Sequence, residues 1–242
     1  MQAVKIGLIS DIHGNYAALK TVIRELKAAG ADAVLNAGDN VGYSSGHEEC
    51  IKLLVDESVS GCMGNYDEAV AFDRPVCGCG ESDDKALIKM RAASLKWARE
   101  NASPEANKFL SLLPRKLELN PGNISILAVH GGLDVINDMI GENDDAKMGE
   151  MASKTNADVI VMGHTHIPFS RKAGGKLFVN PGSVGRPVDG DPRASYAILT
   201  VSNGLNIELR RTVYDVESNI SDLVSAGLPA EIGAALRCGR EI

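Results

Sequence analysis

The alternation of short apolar strands with amphipathic helices in the first 65 residues constrains the fold most. Val4–Ser10 is a β-branched apolar run that predicts a buried strand, and Asn15–Ala29 follows with apolar residues on one helical face. Predicted strands recur at Ala33–Asn36 and Val59–Met63, on either side of a predicted helix at His47–Asp56. This alternation is typical of a mostly parallel α/β sheet, whose functional residues lie at the carboxyl ends of the strands.

The segment Glu68–Leu113 departs from this pattern, because a loop rich in Gly, Cys and Asp precedes two predicted helices, Asp84–Asn101 and Pro104–Leu112. We predict that it is a helical insertion within a single domain spanning residues 1–242, and that it either caps the site or forms a partner interface. Further strands are predicted at Ile124–Val129, Val159–Met162, Leu177–Val179, Ser195–Val201 and Leu205–Arg211. The last two are predicted to form a hairpin, so that the second half builds an antiparallel-rich sheet packed on the first.

Charge and composition exclude several classes of partner. The formal net charge is −7, which disfavours binding to a nucleic acid polymer. No apolar run approaches the roughly 20 residues that span a bilayer, and no signal peptide is recognised, so we expect no membrane partner and a cytoplasmic location.

Among the five cysteines, Cys77-Gly78-Cys79 resembles half of a zinc or redox site. Without a second Cys/His pair, reduced thiols are the better interpretation.

Five short polar motifs each follow a predicted strand. They are Asp11-Ile12-His13, Gly38-Asp39-Asn40, Gly64-Asn65-Tyr66-Asp67, Val129-His130-Gly131-Gly132 and Gly163-His164-Thr165-His166. Two divalent metal ions about 3.5–4 Å apart need a bridging anion, and we predict that Asp39 supplies it. The ligands of one ion are then Asp11, His13 and His166, and those of the other are Asn65, His130 and His164. This mixed N/O set suits two transition metal ions such as Mn, Fe or Zn better than Ca.

The charges of this predicted centre indicate its purpose. Two divalent ions bring four positive charges, of which Asp11, Asp39 and a bridging hydroxide remove three. The remaining positive charge attracts phosphate and stabilises the charge that develops during in-line attack. The sequence therefore predicts a two-metal phosphoesterase in which a hydroxide that bridges the metals attacks phosphorus.

The motif series resembles the calcineurin-like metallophosphoesterase superfamily over nearly the whole chain. The runs Gly38–Tyr43, Gly64–Asp67 and Asn180–Pro187 resemble its small prokaryotic branch, which includes phosphodiesterases and diadenosine-tetraphosphate hydrolases. The resemblance implies a four-layer αββα sandwich of two mixed sheets flanked by helices. It also implies a dinuclear centre with the ligand division given above. The likeness to this branch implies hydrolysis of small phosphodiesters or nucleotide phosphoanhydrides.

Three further residues are candidates for catalysis. Tyr66 stands where many superfamily phosphatases have a histidine, and a phenol is a weaker acid, so we expect a preference for good leaving groups. A role as a wall of the pocket is the alternative. Asp67 is predicted to orient Tyr66 or the second nitrogen of a ligand, or else to cap the next segment. Arg186 is predicted to hold phosphate, with a surface salt bridge as the alternative. Asn15 is expected to cap the first helix, and His47 to start the second.

Two other functions fit parts of this pattern. A scaffold or binding protein that kept the fold and lost the chemistry would show replaced ligands, and every ligand position here is filled. A serine/threonine protein phosphatase-like monoesterase would use the same centre, but Tyr66 replaces the histidine expected there. The sequence is compatible with a homo-oligomer and does not decide the oligomeric state.

Overall fold

The computed structural model describes residues 3–79 and 82–241. Ten strands in this part of the chain form two five-stranded sheets. The strands are β1 (Val4–Ile9), β2 (Ala33–Asn36), β3 (Ser60–Gly61), β4 (Leu117–Leu119), β5 (Ile126–Ala128), β6 (Val159–Val161), β7 (Phe169–Ala173), β8 (Lys176–Asn180), β9 (Ala194–Val201) and β10 (Leu205–Thr212). Eight helices of the described residues accompany them: α1 (Tyr16–Ala28), α2 (His47–Asp56), α3 (Asn65–Ala71), α4 (Lys85–Asn101), α5 (Pro104–Leu112), α6 (Asp145–Ser153), α7 (Val216–Ser225) and α8 (Ala230–Cys238).

Both sheets are mixed, with parallel strands at the positions that carry the motifs. The first has the order β10-β9-β1-β2-β3, in which β1, β2 and β3 are parallel and β9 pairs antiparallel with β1. The second has the order β4-β5-β6-β8-β7, in which β5, β6 and β8 are parallel and the two edge strands are antiparallel. The carboxyl ends of β1, β2, β3, β5 and β6 therefore precede the five motifs, as predicted.

Apolar clusters fill the layers on both faces of each sheet. Ile6 and Leu8 of β1 face Ile126 and Val159 of the second sheet in the cluster between the sheets. On the outer face of the first sheet, α1 buries Leu19, Val22, Ile23 and Leu26. Each such side chain stabilises the fold by roughly 1.5–3 kcal/mol through burial. On the outer face of the second sheet, α6 packs through Met148 and Met151. The predicted αββα sandwich is confirmed.

Gly7 in the middle of β1 explains how closely α1 approaches the sheet. A Cβ atom at this position would lie 2.7 Å from the Leu26 Cδ1 atom of α1. The helix also begins as predicted, because the Asn15 side chain accepts a hydrogen bond from the Ala18 amide at 3.1 Å. His47 is the first residue of α2, also as predicted.

The predicted hairpin forms, but it belongs to the other sheet. We expected β9 and β10 to build the sheet of the second half, whereas β9 pairs with β1 in register from Val4 opposite Val201 to Leu8 opposite Ala197. The reason is visible in β9, which is buried at seven of its eight residues and so needs a central position. Edge strands β4 and β7 and helices α3, α6, α7 and α8 were not predicted.

The helices of the predicted insertion pack with the C-terminal helices. Leu87 and Leu95 of α4 share one apolar cluster with Leu223 of α7 and Ile232 of α8. Gly80 and Glu81, also within the predicted insertion, lie outside the described residues. No helix of the described residues is both long and apolar enough to span a bilayer.

Candidate metal centre

Most of the predicted ligands have an unusual backbone conformation. Five of the seven have positive φ angles, which are uncommon for residues other than glycine. They are Asp11 (53°), His13 (49°), Asp39 (57°), His164 (66°) and His166 (60°). Such conformations cost of order 1–3 kcal/mol each and persist where the surrounding structure fixes them. Here they turn consecutive polar side chains of each loop towards one point.

Backbone hydrogen bonds between the loops provide that fixation. The Asp11 amide donates to the Gly38 carbonyl at 2.9 Å, and the His13 amide donates to the Asp39 carbonyl at 3.0 Å. The Gly163 amide donates to the His130 carbonyl at 2.8 Å in the second sheet. A Cβ atom on Gly163 would lie 2.7 Å from Asp11 Oδ2, so the glycine permits the two sheets to approach at the site.

The segment Asn180–Pro187 closes the site from a third side. The Ser183 hydroxyl donates to the Asp11 carbonyl at 2.7 Å, and the Gly185 amide donates to the same carbonyl at 3.0 Å. The Asn180 amide group donates to the Gly163 carbonyl at 2.8 Å. The polar and glycine residues of this run are therefore explained by these contacts, which hold the loops that carry the candidate ligands.

Three of the predicted histidine ligands have a defined tautomer. In each, Nδ1 lies within hydrogen-bond distance of a backbone carbonyl, which can only accept, so Nδ1 carries the proton and the Nε2 lone pair points into the site. These contacts join His13 Nδ1 to the Val41 oxygen at 3.0 Å, His130 Nδ1 to the Ala37 oxygen at 2.8 Å, and His166 Nδ1 to the Arg186 oxygen at 2.6 Å. The second nitrogens are therefore held by the main chain and not by Asp67.

Each predicted carboxylate ligand also has one oxygen held and one directed inward. Asp11 Oδ2 accepts from the His164 amide at 3.1 Å, while buried Oδ1 has no hydrogen-bond partner among the described residues. Asp39 Oδ1 accepts from the Tyr66 amide at 2.8 Å. Asp39 Oδ2 lies 3.4 Å from His130 Nε2 and 3.7 Å from His13 Nε2, between the two predicted ligand groups.

Two of the inward nitrogens are acceptors that face each other, because His13 Nε2 and His166 Nε2 are 3.1 Å apart. Lone pairs at this distance repel unless a cation lies between them. His130 Nε2 is 2.9 Å from Asn65 Oδ1, which accepts the Nε2 proton when His130 is charged. The Asn65 amide nitrogen donates to the Cys77 carbonyl at 2.9 Å, which turns its oxygen inward.

Two groups of ligand atoms within 4.8 Å of one another meet the requirement for a cation site. They are Asp11, His13 and His166, and Asp11, Asp39 and His130. The buried Nε2 atom of His164 also has no hydrogen-bond partner among the described residues. The seven predicted ligands thus converge, and their donor set fits divalent transition metal ions.

The charge states of these groups favour the same conclusion. Burial lowers the pKa of His13 to about 3 and that of His164 to about 4, which leaves both imidazoles neutral near pH 7. Burial opposes ionisation of Asp11, but the neighbouring His166 and other imidazoles hold its pKa below the usual range. Burial likewise opposes protonation of His130, but Asp39 raises its pKa to about 9. Without metal, a proton on His130 therefore compensates the carboxylates, and a metal ion replaces that proton on binding.

Asp67 holds the Asp39 loop. Its Oδ2 accepts from the amides of Gly64 at 2.9 Å and Asp39 at 3.0 Å and from the Asn40 side chain at 2.9 Å, and its Oδ1 accepts from the Asn40 amide at 2.8 Å. Burial and the nearby Asp39 carboxylate raise the pKa of Asp67 to about 7, although the hydrogen bonds that it accepts from Gly64 and Asn40 act to lower it. Of the predicted alternatives, the structure places Asp67 as a cap of α3 that also fixes a ligand loop.

Tyr66 and Arg186 lie on the wall of a cavity of about 560 Å³ that is also lined by five of the seven candidate ligands, all except Asp11 and His130. Tyr66 is buried, and its hydroxyl has no hydrogen-bond partner within the described part of the chain. Burial raises the pKa of Tyr66 well above its ordinary value, so the phenol is a hydrogen-bond donor at neutral pH. Arg186 is also buried, stacks on the Tyr43 ring at 4.1 Å and pairs with Glu241 at 3.1 Å. The predicted alternative of a surface salt bridge is therefore wrong, because Arg186 does form a salt bridge but is itself buried.

The structure adds residues to the site that the sequence did not indicate. Tyr43, Arg91 and Glu241 line the cavity. Tyr43 lies within a run singled out for its resemblance, whereas Arg91 and Glu241 lie in charged segments that carry no motif.

The structure also joins Cys77 and Cys79 in a disulfide, which corrects the expectation of reduced thiols at these positions. The two cysteines lie close enough in sequence to pair, and they adjoin Asn65.

Comparison with known proteins places this arrangement in a family. The sequence profile of the calcineurin-like phosphoesterase superfamily domain matches residues 4–204. The chain belongs to the calcineurin-like phosphoesterase superfamily. It is 29% identical to an uncharacterised protein of Methanocaldococcus jannaschii over 261 aligned positions, covering 97% of this chain and 98% of the relative.

Solved structures agree with this membership. A metallophosphoesterase from Sphaerobacter thermophilus superposes with a TM-score of 0.79 at 25% identity, covering 98% of this chain and all of the other. A hypothetical protein from Pyrococcus horikoshii has the same fold, with a TM-score of 0.80 at 22% identity over 99% of this chain and 100% of its own. Family membership and the candidate ligand groups together identify a metal-dependent phosphoesterase.

Proposed function

We propose that this phosphoesterase hydrolyses small phosphodiesters or nucleotide phosphoanhydrides with two divalent transition metal ions. In this proposal Asp11, His13 and His166 hold one ion, and Asn65, His130 and His164 hold the other. Asp39 would be a ligand shared by both ions. The observation that carries the proposal is the convergence of buried ligand atoms without donors: His13 Nε2 faces His166 Nε2 at 3.1 Å, and Asp11 Oδ1 and His164 Nε2 have no hydrogen-bond partner among the described residues.

When bound, the ions supply a nucleophile from water and neutralise charge on the phosphoryl oxygens. The residues of the chain prepare the site for that chemistry. The three carbonyl contacts of the imidazoles hold a proton on each Nδ1 and direct each Nε2 into the site, and Asp67 fixes the Asp39 loop. Because these groups are held before substrate arrives, little reorganisation is needed during the reaction.

In this proposal Tyr66 determines which leaving groups the enzyme prefers. The raised pKa of its phenol favours a hydrogen bond to the departing oxygen over transfer of a proton to it. An oxygen that leaves without protonation must be a stable anion. We therefore propose that phosphoanhydrides and activated diesters react faster than alkyl phosphate esters.

The predicted cap also has a place in this proposal. Cys79 and Arg91, both within residues 68–113, line the cavity, so we propose that this segment forms one of its walls. The cytoplasmic location and the oligomeric state stay predictions.

A substrate panel tests the proposal. The full chain is assayed with added Mn²⁺ against bis(4-nitrophenyl) phosphate, an alkyl phosphate and a dinucleoside polyphosphate, beside Asp39→Asn and His130→Ala. We expect turnover of the diester or the polyphosphate, a loss of at least 100-fold in each variant, and slow reaction of the alkyl ester. Absence of turnover by the unmodified chain would support a scaffold, and alkyl phosphate as the best substrate would overturn the role given to Tyr66.

A further inference from the structure

Two arginines on the cavity wall share one carboxylate. Glu241 Oε1 accepts from Arg186 Nη2 and from Arg91 Nη2, both at 3.1 Å, and Glu241 Oε2 lies 3.3 Å from the same Arg91 nitrogen. We define these three residues as the arginine–glutamate cluster. Both guanidinium groups thus converge on one carboxylate at the cavity wall.

The two arginines are held independently of Glu241. The Arg91 Nη1 atom donates to the Cys79 carbonyl at 2.8 Å, and the Arg186 guanidinium stacks on the Tyr43 ring. Only 6% of the Arg186 side chain and 17% of the Arg91 side chain is exposed. Guanidinium groups that are oriented in this way lose little further freedom on binding an anion bidentately.

Glu241 is instead carried by the short segment that follows α8. The Gly190 amide donates to the Gly239 carbonyl at 2.7 Å, and this contact places the following Arg240 and Glu241 at the cavity. Its side chain is 37% exposed, more than that of either arginine. The carboxylate is thus the member of the cluster that an incoming anion displaces most easily.

The cluster is continuous with the candidate metal centre. Tyr43, on which Arg186 stacks, contacts the His13 ring edge-on with centroids 4.9 Å apart, and the Arg186 carbonyl lies 2.6 Å from His166 Nδ1. The arginines line the same cavity as five of the seven candidate ligands, among them His13 and His166. An anion on the arginines therefore lies beside the phosphoryl group at the metal centre.

We propose that Arg91 and Arg186 form a second anion subsite, which takes a phosphoryl group of the substrate other than the one attacked. Glu241 occupies this subsite in the absence of substrate. A phosphoryl group offers more acceptor oxygens than a carboxylate and can carry a second negative charge, so it can take the place of Glu241 in the hydrogen bonds to both arginines. The preferred substrates are accordingly compounds with a chain of at least two phosphoryl groups. Two experiments test this inference, a binding arm and a catalytic arm. The catalytic arm rests on the proposed function, and the binding arm does not.

The binding arm uses metal-free protein and inorganic pyrophosphate in a calorimetric titration. Glu241→Gln removes the competing charge, so pyrophosphate is expected to bind about tenfold more tightly, and Arg91→Met is expected to weaken it about tenfold. The matched control is Glu217→Gln, which disrupts an exposed arginine pair with Arg237 on neighbouring helices. Equal affinity in all four proteins overturns the subsite.

The catalytic arm separates the subsite from the proposed function. With Mn²⁺, Arg91→Met is expected to raise KM for a dinucleoside polyphosphate about tenfold and to change KM for bis(4-nitrophenyl) phosphate less than twofold. An equal effect on both substrates, or no effect on either, overturns the subsite while the hydrolase stands. If the unmodified chain hydrolyses neither substrate, the proposed function fails and the calorimetric result alone judges the subsite. Thermal unfolding of each variant shows whether it is folded. If Arg91→Met does not fold, the comparison of Glu241→Gln with the unmodified chain still tests the subsite.

Discussion

Replacing Asp67 by asparagine tests how the candidate site is held in place. The buried Asp67 carboxylate accepts four hydrogen bonds, three at Oδ2 and one at Oδ1, and all four donors belong to the ligand loop or to the start of α3. Asparagine has the same shape but only one accepting oxygen, so Asp67→Asn changes the hydrogen bonding without creating a cavity.

The geometry sets the size of the effect. In the better of its two orientations, the amide oxygen keeps the three donors at the Oδ2 position, and its NH₂ group faces the Asn40 amide. One buried donor is then unsatisfied, which costs about 1–3 kcal/mol, and three bonds lose their charge assistance, which costs a similar amount in total. Relief of repulsion from Asp39, the cause of the raised pKa of Asp67, offsets part of this loss. We expect the free energy of unfolding to fall by about 3 kcal/mol.

Urea unfolding of metal-free protein measures this change, and a Mn²⁺ titration measures the accompanying loss of affinity, which we expect to be about 10- to 100-fold. The matched control is Asp158→Asn, at an exposed carboxylate that accepts one amide hydrogen bond from Ser125 at 2.9 Å. The control is expected to change the unfolding free energy by less than about 0.5 kcal/mol. Equal effects of the two substitutions, or unchanged Mn²⁺ affinity in Asp67→Asn, would refute the reasoning.

Three further predictions concern residues around the site. Tyr66→Phe removes a buried hydroxyl without a partner in the described chain, so stability should change by less than about 1 kcal/mol while kcat falls most for the poorest leaving groups; a uniform fall contradicts a leaving-group contact. His47, whose Nε2 accepts from the Gly42 amide at 3.0 Å, has a pKa lowered by burial to about 4, so the unfolded chain binds its proton first as pH falls below 6.5. The stability advantage of the native protein over His47→Gln in urea unfolding should therefore shrink by about 2 kcal/mol between pH 7 and pH 5, and a constant difference contradicts this. Alkylation of the denatured, unreduced chain followed by mass spectrometry should leave Cys77 and Cys79 unmodified, and modification of all five cysteines would contradict the disulfide.

The sequence predicted the site better than it predicted the sheet that carries it. Asp11, Asp39 and His130 follow strands whose apolar runs are local, so their positions could be read from neighbouring residues. The place of β9 beside β1 depends on pairing across nearly 200 residues, and no local pattern encodes such pairing. The edge strand β4 pairs locally with β5 but has only three residues, which are too few to show an alternating pattern.

Within the site, the sequence could supply residue types but not orientations. The inward direction of the His13 lone pair depends on the Val41 carbonyl, and that of the Asn65 oxygen depends on the Cys77 carbonyl. Both are main-chain atoms, which every residue possesses, so the sequence gives no sign of them. Glu241 likewise reaches the cavity only because α8 packs where it does, and its motif-free segment gave no signal.

The number of metal ions bound per chain tests the central claim most directly. Chelator-treated full-length protein is titrated with Mn²⁺ in a calorimeter, bound metal is counted by mass spectrometry, and hydrolysis of bis(4-nitrophenyl) phosphate is followed on the same samples. The account predicts two ions per chain, activity that reaches its maximum only when both are bound, and loss of both properties in Asp39→Asn. Binding of no divalent ion, or binding and hydrolysis that Asp39→Asn leaves unchanged, would contradict it.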